Sequence, residues 1–112
     1  MHSVIIVEGK HDKERLSPLV NAETVILCTY GIPTHDHLME LKTTIGDAQV
    51  YIFTDHDRAG RRIRGILNEE FPDAVHLHTK AEYGGVENTP LVYLTHILER
   101  YELLAETNER HM

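Results

Sequence analysis

The stretch QVYIFTDHDRAGRRIRGIL, residues 49–67, decides the fold. Its first residues, with Val50, Tyr51, Ile52 and Phe53, have the composition of a strand buried on both faces. Two aspartates, Asp55 and Asp57, close that run. Ile63, Ile66, Leu67 and Phe71 then recur at the spacing of a helix's inner face, until Pro72 stops the helix. Strand, acidic turn and helix together make one unit of an alternating α/β chain.

The alternation continues on both sides. SVIIV (3–7) and TVILC (24–28) predict two more strands, and AVHLH (74–78) predicts a fourth with the alternation of a sheet edge. Residues 12–20 predict a short helix whose last turn Pro18 disturbs. Leu38, Met39, Leu41 and Ile45 predict a second helix, from Thr34 to a stop at Gly46. YGG (83–85) reads as a loop. Leu91, Leu94, Ile97, Leu98, Tyr101 and Leu104 form a stripe that predicts a last helix over about 90–105, with 106–112 fraying beyond it. Short connections between such elements require parallel strands and right-handed crossovers. The expectation is therefore one α/β domain over 1–112, three-layered and Rossmann-like, around a central, mainly parallel four-stranded sheet.

Composition narrows the function. A chain of 112 residues with 41% hydrophobic and 26% charged residues fits an ordinary globule with one core. The single cysteine, Cys28, excludes an internal disulfide framework and suits a reducing compartment. No run approaches the roughly 18 apolar residues of a membrane helix, and the apolar run near the start is too short for a signal peptide. These features predict a cytoplasmic protein with no membrane partner. The net charge of −7 argues against strong non-specific DNA binding, which needs many basic groups to displace counterions.

In open parallel sheets, ligands sit outside the carboxyl ends of the strands. Glu8 follows the first strand, Asp55 and Asp57 follow the third, and Glu87 lies in the connection after the fourth. Neighbouring strands lie about 4.8 Å apart, so adjacency of the first and third would bring Glu8 and Asp55 within reach of a shared ion. Clustered carboxylates raise one another's pKa unless a cation intervenes, and hard oxygen donors in a hydrated site suit Mg²⁺ or Mn²⁺. The expectation is a site of Glu8, Asp55 and Asp57. A purely structural reading stays open, with Asp55 as a helix N-cap and Asp57 as a first-turn acid.

Arg58, Arg61, Arg62 and Arg64 crowd the first turns of the third helix, where the macrodipole disfavours cations. Positive charge beside a metal is what an incoming phosphate requires, so Arg58, Arg61, Arg62 and Lys10 are candidate phosphate contacts. The alternative is a solvated face paired to the aspartates or to Glu69 and Glu70.

IIVEGKHD, followed some fifty residues later by IFTDHDRAGRRI, resembles the Toprim domain family of topoisomerases, primases and nucleases, and is most similar to the Toprim half of ribonuclease M5. The likeness runs on through GRRIRGILNEEFP to YGGVENTPLVYLTHILE, nearly the whole chain. It implies that Asp55 and Asp57 coordinate Mg²⁺ and that Glu8 is a ligand or a general acid/base in phosphodiester chemistry. Glu87 (in GVEN) is a weaker candidate on the same grounds, and Asp12 and His56, each within or beside an acidic motif, are further weak candidates. The implied substrate is nucleic acid, a structured RNA among the options, with an RNA-binding protein as a conceivable partner because further sequence of the M5 type is not present here. Tyr30, Tyr51, Tyr83, Tyr93 and Tyr101 read as core or surface residues, which argues against topoisomerase chemistry.

Other readings compete. A dehalogenase-like phosphatase also uses D-x-D, but on its first strand and with Thr or Val where Ala59 stands. A receiver domain needs an acidic pair where Glu8-Gly9 stands. THDH (34–37) and HLH (76–78) would allow zinc only with further ligands, and no matching cysteines exist. A non-catalytic Toprim module that holds metal, nucleic acid or protein is the alternative to an enzyme.

Overall fold

In the structure, a computed structural model that describes residues 1–106, four strands pair in parallel. They are β1 (Ser3–Val7), β2 (Thr24–Cys28), β3 (Gln49–Ile52) and β4 (Val75–His76), in the order β2-β1-β3-β4. Ser3 to Val7 pair in register with Thr24 to Cys28 on one side, and Ser3 to Ile6 with Gln49 to Ile52 on the other. β1 and β3 are thus adjacent, the condition for bringing Glu8 and Asp55 together.

The helices are α1 (Lys10–Leu16), α2 (His35–Ile45), α3 (Arg58–Glu70) and α4 (Leu91–Arg100). Successive side chains of β1 point to opposite faces, and both faces are covered. Ile5 and Val7 pack with Leu16 of α1 and with Leu94, Ile97 and Leu98 of α4. Val4 and Ile6 pack with Leu38, Leu41 and Ile45 of α2 and with Ile63 and Leu67 of α3. Two apolar layers sandwiching one sheet give the three-layer architecture. Val4, Ile5, Ile6 and Val7 are all fully buried, which is why the strand reads as an unbroken apolar run.

Several boundaries differ from the expectation, each for a local reason. α1 starts at Lys10, earlier than Asp12, because Gly9 is extended and its N–H is taken by the Asp12 carboxylate at 3.1 Å. It ends at Leu16, ahead of Pro18. α2 keeps its expected limits, beginning at the Thr34 cap, whose hydroxyl accepts from the His37 N–H, and stopping at Gly46 with φ +55. β4 is only two residues long, although the Leu77 N–H still bonds Ile52 O at 2.8 Å. α4 stops at Arg100 rather than near 105: Glu102 adopts φ +60 and the Leu103 N–H closes on Leu98 O at 2.8 Å. Leu104 leaves the predicted stripe to bridge Val20 antiparallel, and Leu91 stands half exposed at the helix start. The frayed tail expected for 106–112 lies, from 107 onward, outside the described residues. No helix among the described residues is long and apolar enough to cross a membrane.

Candidate functional site

Glu8 leaves the end of β1 and reaches sideways to the turn after β3, where its Oε2 accepts the Asp55 backbone N–H at 2.6 Å. Burial pushes Glu8 up to about 7, and the charges of Asp55 and Asp57 push the same way, against the pull of the Asp55 N–H. A carboxyl so placed holds its proton near neutrality unless a cation stands beside it.

Asp55 is fixed from the other side. Its Oδ1 accepts the Val86 N–H at 3.1 Å, in a one-turn 3₁₀ segment (Val86–Asn88) that follows β4. The carboxylate lies so close to Gly85 that a Cβ there would come within 2.6 Å of Oδ1. Gly85 also has φ +118, so the position needs glycine on two counts. On the backbone side, a Cβ at Gly60 would collide with the carbonyl of Asp55.

Asp57 is the N-cap of α3, its Oδ1 accepting the Gly60 N–H at 2.6 Å. The structural alternative had that role on Asp55; the structure gives it to Asp57, whose second oxygen has no hydrogen bond among the described residues. Capping and the field it exerts on Glu8 are both present, so the two readings of Asp57 coexist.

Asp12 is nearly buried, and burial, with the charge of Asp55 next in size, raises it to about 6. Glu87 adds to that field from the 3₁₀ segment; its side chain is exposed while its carbonyl accepts from Arg15. Arg15 of α1 bonds Thr89 O at 2.6 Å as well, latching the segment that carries Gly85 and Val86. His56 turns away from the carboxylates: its Nε2 meets Thr79 O and its ring stacks on His78, centroids 5.4 Å apart.

The arginines divide. Arg58 and Arg62 are exposed and have no ion pair or hydrogen bond among the described residues. Arg61 donates to His56 O at 2.6 Å. Arg64 points into the sheet edge and donates to Ile52 O (3.2 Å), Thr54 O (2.9 Å) and Leu77 O (2.9 Å), with His76 Nδ1 3.0 Å away. Among the described residues none of these arginines pairs with Glu69 or Glu70; Glu70 pairs with Lys42 instead, at 3.3 Å. Lys10, at the start of α1, is exposed and 3.9 Å from Glu14.

Glu8, Asp12, Asp55, Asp57 and Glu87 thus occupy one sheet edge and feel one another's charge. Even so, no three His, Cys, Asp or Glu side chains among the described residues converge as a ready metal cage. Mg²⁺ does not require one: it keeps several waters and takes one or two carboxylates. The donor set fits such an ion, being all hard oxygen and partly buried, with Glu8 and Asp12 raised first by burial and then by neighbouring charge. Zinc finds no support from the histidines, since His76 is engaged by Arg64 and by Asn68 Oδ1 at 3.1 Å.

Residues that sequence reasoning missed are Gly60, Gly85, Arg15 and the bracing role of Arg64. A glycine in the first helical turn (Gly60) and a Gly-Gly pair (84–85) were the available signals.

The Toprim domain family profile matches residues 3–87. Uncharacterized protein YusF of Bacillus subtilis (strain 168) is 36% identical over 107 residues, 96% of this chain and 73% of that protein. Ribonuclease M5 of Bacillus anthracis is 38% identical over 74 residues, 65% of this chain but only 39% of that enzyme. A solved structure of a small Toprim domain protein from Bacillus stearothermophilus superposes with a TM-score of 0.85 at 33% identity, covering 100% of this chain and 94% of the other.

Proposed function

The chain belongs to the Toprim domain family, and we propose that it acts on phosphodiester bonds of nucleic acid with a divalent metal, Mg²⁺ or Mn²⁺. Family members generally bind such a metal. The observation that carries the reading is the meeting of Glu8 and Asp55 at the carboxyl ends of adjacent parallel strands, with Glu8 raised to about 7.

Glu8, Asp55 and Asp57 hold the ion, and when bound it supplies positive charge against the phosphate oxygens. Glu8 Oε2 is committed to the Asp55 N–H, which leaves Oε1 to take a proton from the attacking group and return it to the leaving oxygen. Arg58 and Arg62, without other partners among the described residues, orient the phosphate together with Lys10 and the uncommitted nitrogens of Arg61. Asp12 fixes Gly9 and so aims Glu8; Glu87 and His56 stand at the rim. By likeness to ribonuclease M5, a structured RNA is the favoured substrate. With a net charge of −7, affinity for it falls to the local cations or to an RNA-binding protein that presents it. A cytoplasmic setting goes with this reading, and the single domain of residues 1–112 is its unit.

The test is Mg²⁺- or Mn²⁺-dependent cleavage of a structured RNA, lost in Asp55→Ala while circular dichroism shows the fold intact. The engagement of Asp57 as the cap of α3 favours a second reading, a non-catalytic module that binds metal and nucleic acid. Metal-dependent binding without product would select it.

A further inference from the structure

Tyr30 follows β2 at the same sheet edge as the carboxylates, and its backbone N–H donates to Glu8 O at 2.8 Å. Its backbone sits at φ +56, a region that residues with a Cβ adopt at a cost and that glycine adopts freely. The ring gains little burial in return, being 70% exposed, and Ile32 beside it is 47% exposed. A strained position that holds a large aromatic out in solvent is a poor choice for stability and a good one for contact with a ligand.

The ring borders a hollow of about 500 Å³ lined by Lys10, Lys13, Glu14, Ser17, Pro18 and Tyr30. Glu14 is shared between Lys10 (3.9 Å) and His11 (3.6 Å). Lys13 has no ion-pair partner among the described residues. An exposed aromatic face next to an unneutralised ammonium, on a chain that is acidic overall, matches the two needs of a nucleic-acid strand: a surface for a base and a cation for its phosphate.

We propose that Tyr30 is a stacking platform for an unpaired base, with Lys13 and Lys10 taking the adjacent phosphates as the strand passes toward Glu8. The inference rests on the nucleic-acid reading above. Stacking on an aromatic is tolerant of base identity, so the site recognises single-strandedness rather than sequence, and RNA and DNA share the chemistry.

The test is fluorescence anisotropy with labelled ten-nucleotide single strands of RNA and of DNA, a matching duplex, and a structured RNA assayed for Mn²⁺-dependent cleavage. Tyr30→Gly is the informative variant, because it relieves the backbone and so should match or exceed the wild-type Tm while removing the ring. Single-strand affinity is expected to fall about tenfold, to return in Tyr30→Phe, and to change little for the duplex. Lys13→Ala should lower the salt slope by about one. Equal binding of the RNA and DNA strands is the result expected of stacking with phosphate contact, and a preference for the duplex over both would overturn the proposal. Unchanged affinity in Tyr30→Gly while the wild type still binds or cleaves would overturn this inference and leave the proposed function standing. No binding or cleavage by the wild type, with or without Mn²⁺, would overturn both.

Discussion

The backbone N–H of Asp55 donates to Glu8 Oε2 across 2.6 Å, so a single side chain ties the end of β1 to the turn after β3. Glu8 therefore has a structural task as well as a chemical one, and two substitutions separate them. Glu8→Gln keeps an oxygen for the Asp55 N–H, so its Tm should stay close to wild type while metal-dependent cleavage falls by about 10²-fold or more. Glu8→Ala leaves that N–H without its acceptor and should also lose about 1–3 kcal/mol in denaturant titration. A Gln variant with undiminished turnover would remove Glu8 from the chemistry.

The crowded carboxylates make stability depend on pH in a direction that can be worked out. Glu8 is raised from 4.5 to about 7 and Asp12 from 3.8 to about 6, burial being the first cause for both. The folded state therefore keeps protons that the unfolded chain has already released, and stability falls as pH rises through that interval. The penalty is absent below the unfolded values and complete above about 7. The lowered His76 and His78 act the opposite way over the same range. The carboxylate contribution is therefore read as a difference: Glu8→Gln should gain Tm over the metal-free wild type at pH 7.5 more than at pH 5, with Mn²⁺ raising the wild-type Tm more at pH 7.5. A Glu8→Gln advantage that is the same at pH 5 and pH 7.5 without metal would contradict this account.

Much of this was legible in the sequence because strands buried on both faces must be apolar throughout. Val4 to Val7 and Val50 to Phe53 announce themselves, and the alternation with helices leaves parallel pairing as the outcome. The positions of Glu8 and Asp55 follow from strand ends and needed only the adjacency of β1 and β3. What was hidden depends on contacts between distant segments. That Arg64 serves the sheet edge while Arg62 faces solvent is a matter of helix phase against β4. That Gly85 shields Asp55, and that α4 stops at Arg100, depends on where the chain returns, which local periodicity does not encode.

Three glycines offer a graded test of how tightly Asp55 is held. A Cβ at Gly60 would strike the Asp55 carbonyl, a backbone atom that cannot step aside, so Gly60→Ala should cost about 3 kcal/mol or more. Gly85→Ala combines φ +118 with a clash against the Asp55 carboxylate, and should weaken Mn²⁺ binding by calorimetry as well as stability. Gly65 lies exposed in α3 with nothing within 4 Å of a built Cβ, so Gly65→Ala should stabilise by about 0.5–1 kcal/mol. Equal effects at Gly60 and Gly65 would show that the close approach to Asp55 carries no weight.

Arg62 and Arg64 lie two residues apart on α3 and should fail in opposite ways. Arg64 caps three carbonyls at the ends of β3 and β4, and its removal strands acceptors that water reaches only in part. Arg64→Met keeps much of the aliphatic length but no donor, so it should cost about 2–4 kcal/mol in denaturant titration. Arg62→Ala removes an exposed guanidinium with no partner among the described residues, so stability should move by less than about 0.5 kcal/mol. RNA affinity should instead fall, and its salt slope should lose about one unit as one phosphate contact disappears. Arg58→Ala should behave like Arg62→Ala, and the double variant should lose close to the sum, since each acts on the ligand rather than on the other. Stability loss at Arg62, or an unchanged salt slope in the double variant, would mean that the phosphate path does not cross the exposed face of α3.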